Sequence, residues 1–133
     1  MSMYRITLAD DHALVREGIK RIIQEDPQLS VVEETGNGVE LLRLLEETTP
    51  DMVVLDISMP GMRGIEAIKI IKELYPQIRI LVLTMHKSKE YLYLAMNGGA
   101  DGYVLKEDVN EVLHKAIKTI RHGQTFISPT IFD

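Results

Sequence analysis

The stretch Met52-Val53-Val54-Leu55-Asp56-Ile57-Ser58-Met59-Pro60-Gly61-Met62-Arg63-Gly64 opens with an apolar run and stops on a carboxylate. A short, continuous apolar run bounded by turn residues, here Pro50-Asp51 and Pro60-Gly61, fits a parallel strand buried on both faces. In open α/β sheets the reactive crevice lies outside the carboxyl ends of the strands. Asp56, the last residue of the run, therefore stands where such a fold keeps its chemistry.

The flanking sequence repeats the same grammar. Tyr4–Ala9 reads as a first strand stopping at Asp10-Asp11, and Leu14, Val15, Gly18, Ile19, Ile22 and Ile23 then recur at helical spacing up to Asp26-Pro27. Val31-Val32-Glu33-Glu34 reads as a more polar strand near the sheet edge. Gly36-Asn37-Gly38 is a turn, and Val39, Leu41, Leu42 and Leu45 mark a second helix. After Asp56 come a helix through Ile65, Ile68, Ile71 and Leu74, a strand over Ile78–Leu83 ending on Thr84, and a helix from Ser88 to Asn97 closed by Gly98-Gly99. Tyr103-Val104-Leu105 forms a short strand ending on Lys106, and Val109, Val112, Leu113, Ala116, Ile117 and Ile120 trace a last helix to His122-Gly123. Five strands alternating with five helices over short loops predict one doubly wound α/β domain with a parallel sheet.

Composition narrows the class. The 133 residues suffice for a single domain with a real core, and the net charge of −5 argues against attraction of the whole chain to nucleic-acid phosphates. There is no cysteine, so disulfides and thiolate metal sites are excluded and a reducing, cytoplasmic setting is expected. No apolar stretch approaches the length of a membrane span.

Strand ends carry the chemistry. Asp10, Asp11, Asp56, Thr84 and Lys106 all fall at carboxyl ends of parallel strands, and hence on one rim. With strand order 2-1-3-4-5 the first and third strands are neighbours, about 4.8 Å apart, so the three acids crowd together. Like charges that close call for a cation, and an all-oxygen cluster suits Mg²⁺. Lys106 brings a point charge for an anion, and Thr84 a hydroxyl donor. This is a set for phosphoryl transfer, with Asp56 as the nucleophile that forms an aspartyl phosphate.

These residues give the chain its resemblance to the receiver domain of two-component response regulators, over essentially its whole length. Asp10-Asp11 is similar to the family's acidic pair, Asp56 to its phosphoacceptor, Thr84 to its hydroxyl residue, Lys106 to its lysine, and Tyr103 to its aromatic switch residue. Ser58 takes the position whose backbone carbonyl supplies a metal ligand, and Met59–Gly64 resembles the loop after the phosphorylation site. Ala9-Asp10-Asp11-His12 and Gly102-Tyr103-Val104-Leu105-Lys106 resemble the NarL/LuxR-type subgroup. Glu107 stands where many receivers have proline. The resemblance implies a flavodoxin-like (βα)5 receiver fold over residues 1–122, with a five-stranded sheet in order 2-1-3-4-5. It implies a phosphoacceptor switch rather than an enzyme, a sensor histidine kinase as partner, and Mg²⁺ held by Asp10, Asp11, Asp56 and the Ser58 carbonyl. Phosphorylation is expected to draw Thr84 toward the phosphate and turn Tyr103 inward. Residues 123–133 read as the start of a linker to a DNA-binding domain, although Phe126, Ile127, Ile131 and Phe132 are more apolar than a free tail should be. DNA would then be read by that further domain and not by this chain; a homodimer is open.

Other features invite weaker readings. His12 is expected at the surface or at a helix start, His86 at the rim, and His114 and His122 without a site. Tyr91–Met96 is apolar for six residues, too many for one helix face; Leu92, Ala95 and Met96 should be buried, leaving Tyr93 and Leu94 outward for a partner. Three alternatives compete. A haloacid-dehalogenase-like phosphatase wants a second acid two residues after its nucleophile, where this chain has Ser58. A flavodoxin-like flavin carrier wants a Ser/Thr/Gly-rich loop after the first strand, where this chain has Asp10-Asp11-His12. A stand-alone receiver would act by protein contact alone.

Overall fold

The apolar run becomes β3, Met52–Asp56, a central strand buried along its whole length in the computed structural model, which describes residues 3–59 and 63–132. Around it lie β1 (Tyr4–Ala9), α1 (Ala13–Gln24), β2 (Leu29–Thr35), α2 (Gly38–Glu47), α3 (Gly64–Leu74), β4 (Arg79–Thr84), α4 (Lys89–Asn97), β5 (Gly102–Leu105), α5 (Val109–Arg121) and β6 (Phe126–Ile127). All pairings are parallel, in the order β2-β1-β3-β4-β5-β6. Pro60, Gly61 and Met62 of the loop after Asp56 lie outside the described residues.

The sixth strand corrects the five-stranded expectation. Gly123 takes φ +89°, a conformation that suits glycine, and the chain turns back after α5 to pair Gly102 with Phe126 and Tyr103 with Ile127. Apolar side chains so placed gain more from covering the β5 edge than from water, which is why the segment does not run free. Beyond it, Pro129–Phe132 forms a 3-10 turn that buries Ile131.

Alternation along β3 divides the core in two. Val53 and Leu55 face Leu41 and Leu45 of α2, Ile68 and Ile71 of α3, and Leu92 and Ala95 of α4. Met52 and Val54 face Ile19 and Ile23 of α1 and Leu113 and Ile117 of α5. Each fully buried side chain of this size contributes about 1.5–3 kcal/mol, so the two layers fix the sheet rigidly behind the rim.

Helix starts set the rim loops. Asn37 caps α2 by accepting the N–H groups of Val39 and Glu40, and Ser88 caps α4 by accepting that of Tyr91. α3 begins at Gly64 because nothing larger fits: a Cβ there would lie 2.4 Å from the Cα of Ile57. On α4, Leu92 and Ala95 are buried and Met96 is half-buried, while Tyr93 and Leu94 are exposed, as the spacing predicts; Tyr91 is exposed beside them.

Candidate functional site

Parallel register brings the strand ends level. Ala9 pairs with Leu55, Asp56 with Leu83, and Thr84 with Leu105, so Asp10, Asp56, Thr84 and Lys106 emerge on one rim. Asp10, Asp56 and Thr84 are fully buried. Two charged carboxylates in such a place need compensation. Lys106 supplies it: its Nζ lies 2.9 Å from Asp10 Oδ2 and 3.1 Å from Asp56 Oδ2.

The two contacts differ in kind. Lys106 donates a hydrogen bond to Asp56, whereas its approach to Asp10 Oδ2 is an ion pair off the hydrogen-bonding angle. Asp10 Oδ2 is therefore buried, neutralised in charge, and without a hydrogen-bond donor among the described residues. The other oxygen, Oδ1, accepts the backbone N–H of His12 at 2.9 Å. Asp56 Oδ1 accepts both the backbone N–H of Ser58 at 3.0 Å and the Ser58 hydroxyl at 2.7 Å.

These contacts hold the charges in place. Burial pushes the Asp56 carboxyl up, but the two Ser58 hydrogen bonds and the Lys106 charge outweigh it and hold Asp56 below the usual carboxylate range. Burial likewise pushes Lys106 down, and its pairing with Asp10 and Asp56 reverses the balance, so its ammonium is held above the usual lysine range. The site is thus an ionised carboxylate facing an ionised ammonium.

A hard divalent cation fits the remaining acid set. Asp10, Asp11, His12 and Asp56 can each offer a ligand atom, all within 4.8 Å of one another. Three carboxylates, among them Asp10 with its buried Oδ2 that takes no hydrogen bond among the described residues, match the oxygen-rich, partly hydrated coordination of Mg²⁺.

Some residues lie where the sequence places them and others do not. Thr84 is on the rim, but its hydroxyl accepts the His86 backbone N–H at 3.0 Å and, among the described residues, hydrogen-bonds neither Asp56 nor Lys106. Tyr103, expected to turn inward on phosphorylation, is already inward: its ring is fully buried and its hydroxyl donates to the His86 carbonyl at 3.2 Å. Burial pushes its phenol up. His12 stands at the start of α1 as expected, yet its Nδ1 also lies 3.2 Å from Asp11 Oδ1, a contact that one-dimensional spacing does not show. Arg16, by spacing alone just a polar residue of α1, donates to the Asp10 carbonyl at 2.6 Å and pairs with Glu34, steadying the acid loop from below. A groove of about 680 Å³ opens beside Ser58, lined also by Met59, His86, Tyr91 and Leu94.

The family model of the response regulator receiver domain matches residues 6–118. The chain is a response regulator receiver domain. This receiver is of the NarL/LuxR type, and its relatives are consistent on the point. It is 36% identical over 127 residues to the transcriptional regulatory protein DegU of Brevibacillus brevis, covering 96% of this chain and 54% of that protein. With the oxygen regulatory protein NreC of Staphylococcus carnosus it shares 39% over 126 residues, 94% of this chain and 58% of the other. The receiver thus spans little more than half the length of these two relatives. Among solved structures, a LuxR-family two-component response regulator from Aurantimonas sp. SI85-9A1 superposes with a TM-score of 0.93 at 43% identity, covering 98% of this chain and 94% of that one. The isolated receiver of RcsB from Salmonella enterica serovar Typhimurium, solved with the phosphomimetic BeF3⁻, gives 0.92 at 29% identity, covering 98% and 97%. The match favours neither a phosphatase nor a flavin carrier.

Proposed function

We propose that this receiver is a phosphorylation-activated switch that takes a phosphoryl group from the phosphohistidine of a sensor kinase onto Asp56. The observation that carries this is the Lys106 ammonium held between two fully buried carboxylates at the rim. Asp56 attacks phosphorus through a carboxylate oxygen; the O–P bond forms as the P–N bond breaks, and the imidazole nitrogen leaves with the electron pair and takes a proton from water. Lys106 is placed to pair with the phosphoryl oxygens as negative charge gathers there. Asp10, Asp11, Asp56 and the Ser58 carbonyl would hold Mg²⁺, which neutralises phosphoryl charge when bound. The chain assists only its own phosphorylation and dephosphorylation.

Thr84 and Tyr103 carry the signal outward in this reading. Thr84 uses its oxygen as acceptor for His86, leaving its own O–H to donate to a phosphate on Asp56. The backbone of His86 also accepts the Tyr103 hydroxyl, so a shift of Thr84 reaches Tyr103 through that residue. The adjoining face of α4, with Tyr91, Tyr93 and Leu94 exposed, offers the surface for a partner or a second copy.

The longer relatives support a further, output domain. We place the alternating strand–helix body of the receiver at 1–122, with 123–133, docked through β6 on β5, leading toward a domain that reads DNA and controls transcription in the cytoplasm. No helix among the described residues is long and apolar enough to cross a membrane. The net charge of −5 gives the receiver as a whole no electrostatic attraction to a phosphate backbone.

Mass spectrometry after acetyl phosphate and Mg²⁺ tests the core of the proposal. One phosphoryl group is expected on the wild-type chain and none on Asp56→Asn; label persisting at another aspartate in the variant refutes the assignment. Sequence-specific DNA binding by residues 1–133 at physiological salt would refute the division of labour, and a reading frame closing directly after Asp133 would favour the stand-alone switch.

A further inference from the structure

The segment after α5 does more than cover an edge. Ser128, fully buried, donates its N–H to the Tyr103 carbonyl at 2.8 Å and accepts the Leu105 N–H on its Oγ at 3.1 Å. The ladder between β5 and β6 ends at Ile127, and the Ser128 hydroxyl takes over as partner for the next β5 donor. Two residues on, the Thr130 hydroxyl donates to Asp108 Oδ2. Ile131 is buried in the same cluster as Tyr103 and Leu105, and its N–H returns to the Ser128 carbonyl.

Leu105 and Asp108 bracket the 3-10 turn Lys106–Asp108. Ser128 grips one side of that turn and Thr130 the other. Lysine is a long, flexible side chain, and ordering one costs it rotamer freedom. The ammonium of Lys106 must nonetheless rest between Asp10 and Asp56. Holding the Leu105 backbone N–H on one side and the Asp108 carboxylate on the other steadies the turn that carries Lys106, and so leaves less of the residue to be ordered.

We propose that Ser128 and Thr130 are positioning residues for Lys106, so that the segment leading out of the receiver sets the reactivity of its phosphorylation site. The proposal rests on the reading of Asp56 as phosphoacceptor. Coupling of this kind is reciprocal: whatever pulls Ser128 and Thr130 away from Leu105 and Asp108 also loosens Lys106.

The test follows the full chain with acetyl phosphate and Mg²⁺, where the Asp56 O–P bond forms, the acetyl phosphate P–O bond breaks and acetate leaves. Initial rates are read by mass spectrometry across acetyl phosphate concentrations. Ser128→Ala and Thr130→Val should each lower the saturating rate about five-fold, the worth of one net hydrogen bond. Half-saturation and Mg²⁺ affinity should stay unchanged, and Thr130→Ser should restore the rate. Phe126→Ala trims the packing of β6 while keeping both hydroxyls, and should phosphorylate as wild type. Wild-type rates in Ser128→Ala and Thr130→Val, or an equal slowing in Phe126→Ala, would overturn the proposal. Should Ser128→Ala fail to fold, Thr130→Val at its half-buried position decides between these outcomes by itself. A wild-type chain that takes no label at Asp56 would instead bring down the phosphoacceptor reading, and this proposal with it.

Discussion

Replacing Lys106 with methionine keeps the bulk of the side chain and deletes its charge. Both partners, Asp10 and Asp56, are fully buried, and the ammonium lies 2.9 and 3.1 Å from them. Removing one member of a buried pair leaves uncompensated charge and costs about 3–5 kcal/mol. The rim admits some water, so about 3 kcal/mol is expected, or about 10 °C in Tm for a domain of this size. The cost should depend on pH in a defined way. Asp56 has its folded pKa depressed from the ordinary 3.8, so its contribution is present above that value and lost as pH falls through the lower folded one. In Lys106→Met the Lys106 charge no longer holds Asp56 down, and the gap between variant and wild type should close on acidification. Mg²⁺ should also narrow the gap at neutral pH, by supplying positive charge to the same acids. Urea denaturation followed by circular dichroism, in EDTA and in excess Mg²⁺, measures all three. A loss below about 1 kcal/mol in EDTA at pH 7 would refute the argument, since that is the worth of a solvated surface pair.

Gly64→Ala drives a Cβ to 2.4 Å from the Ile57 backbone and should cost about 2–3 kcal/mol by chemical denaturation; a loss under about 0.5 kcal/mol would mean α3 can start elsewhere. Burial first, and then Asp51, raises the Tyr4 phenol to about 12, so ultraviolet titration should lose a tyrosine step near pH 12 in Tyr4→Phe. Because the folded pKa is raised, Tyr4 favours the folded state below the ordinary value of 10.0, and that contribution fades as pH climbs through about 12. Tyr93→Ser, at a side chain 71% exposed, should leave stability within about 0.5 kcal/mol while weakening any self-association seen by analytical ultracentrifugation.

Much of the site can be read in one dimension because a parallel sheet converts strand ends into neighbours. Asp10, Asp56 and Lys106 each follow an apolar run, and the register carries all three to one rim without further information. What stays hidden is what the register does not determine. β6 is two residues long, too short for any periodicity, and the apolar excess at Phe126, Ile127 and Ile131 signals packing without saying where. Ser128 and Thr130 look like linker hydroxyls in the sequence, since their partners Leu105 and Asp108 lie more than twenty residues back. The orientation of Tyr103 within β5 follows from alternation, but its tie to His86 is set by the path of the β4–α4 loop. By spacing, His12 and Arg16 are only helix residues; the fold alone shows that α1 points them at the acids.

The two-residue strand at the border of the sheet also bears on how this polypeptide can be handled as a module. Severing it after the last long helix would strip β5 of its cover and present open N–H and C=O groups beside the now bare flank of Leu105, a template for stacking one molecule on another. A clean excision or fusion junction therefore belongs past Phe132, even though the helical pattern invites a cut ten residues earlier, at His122.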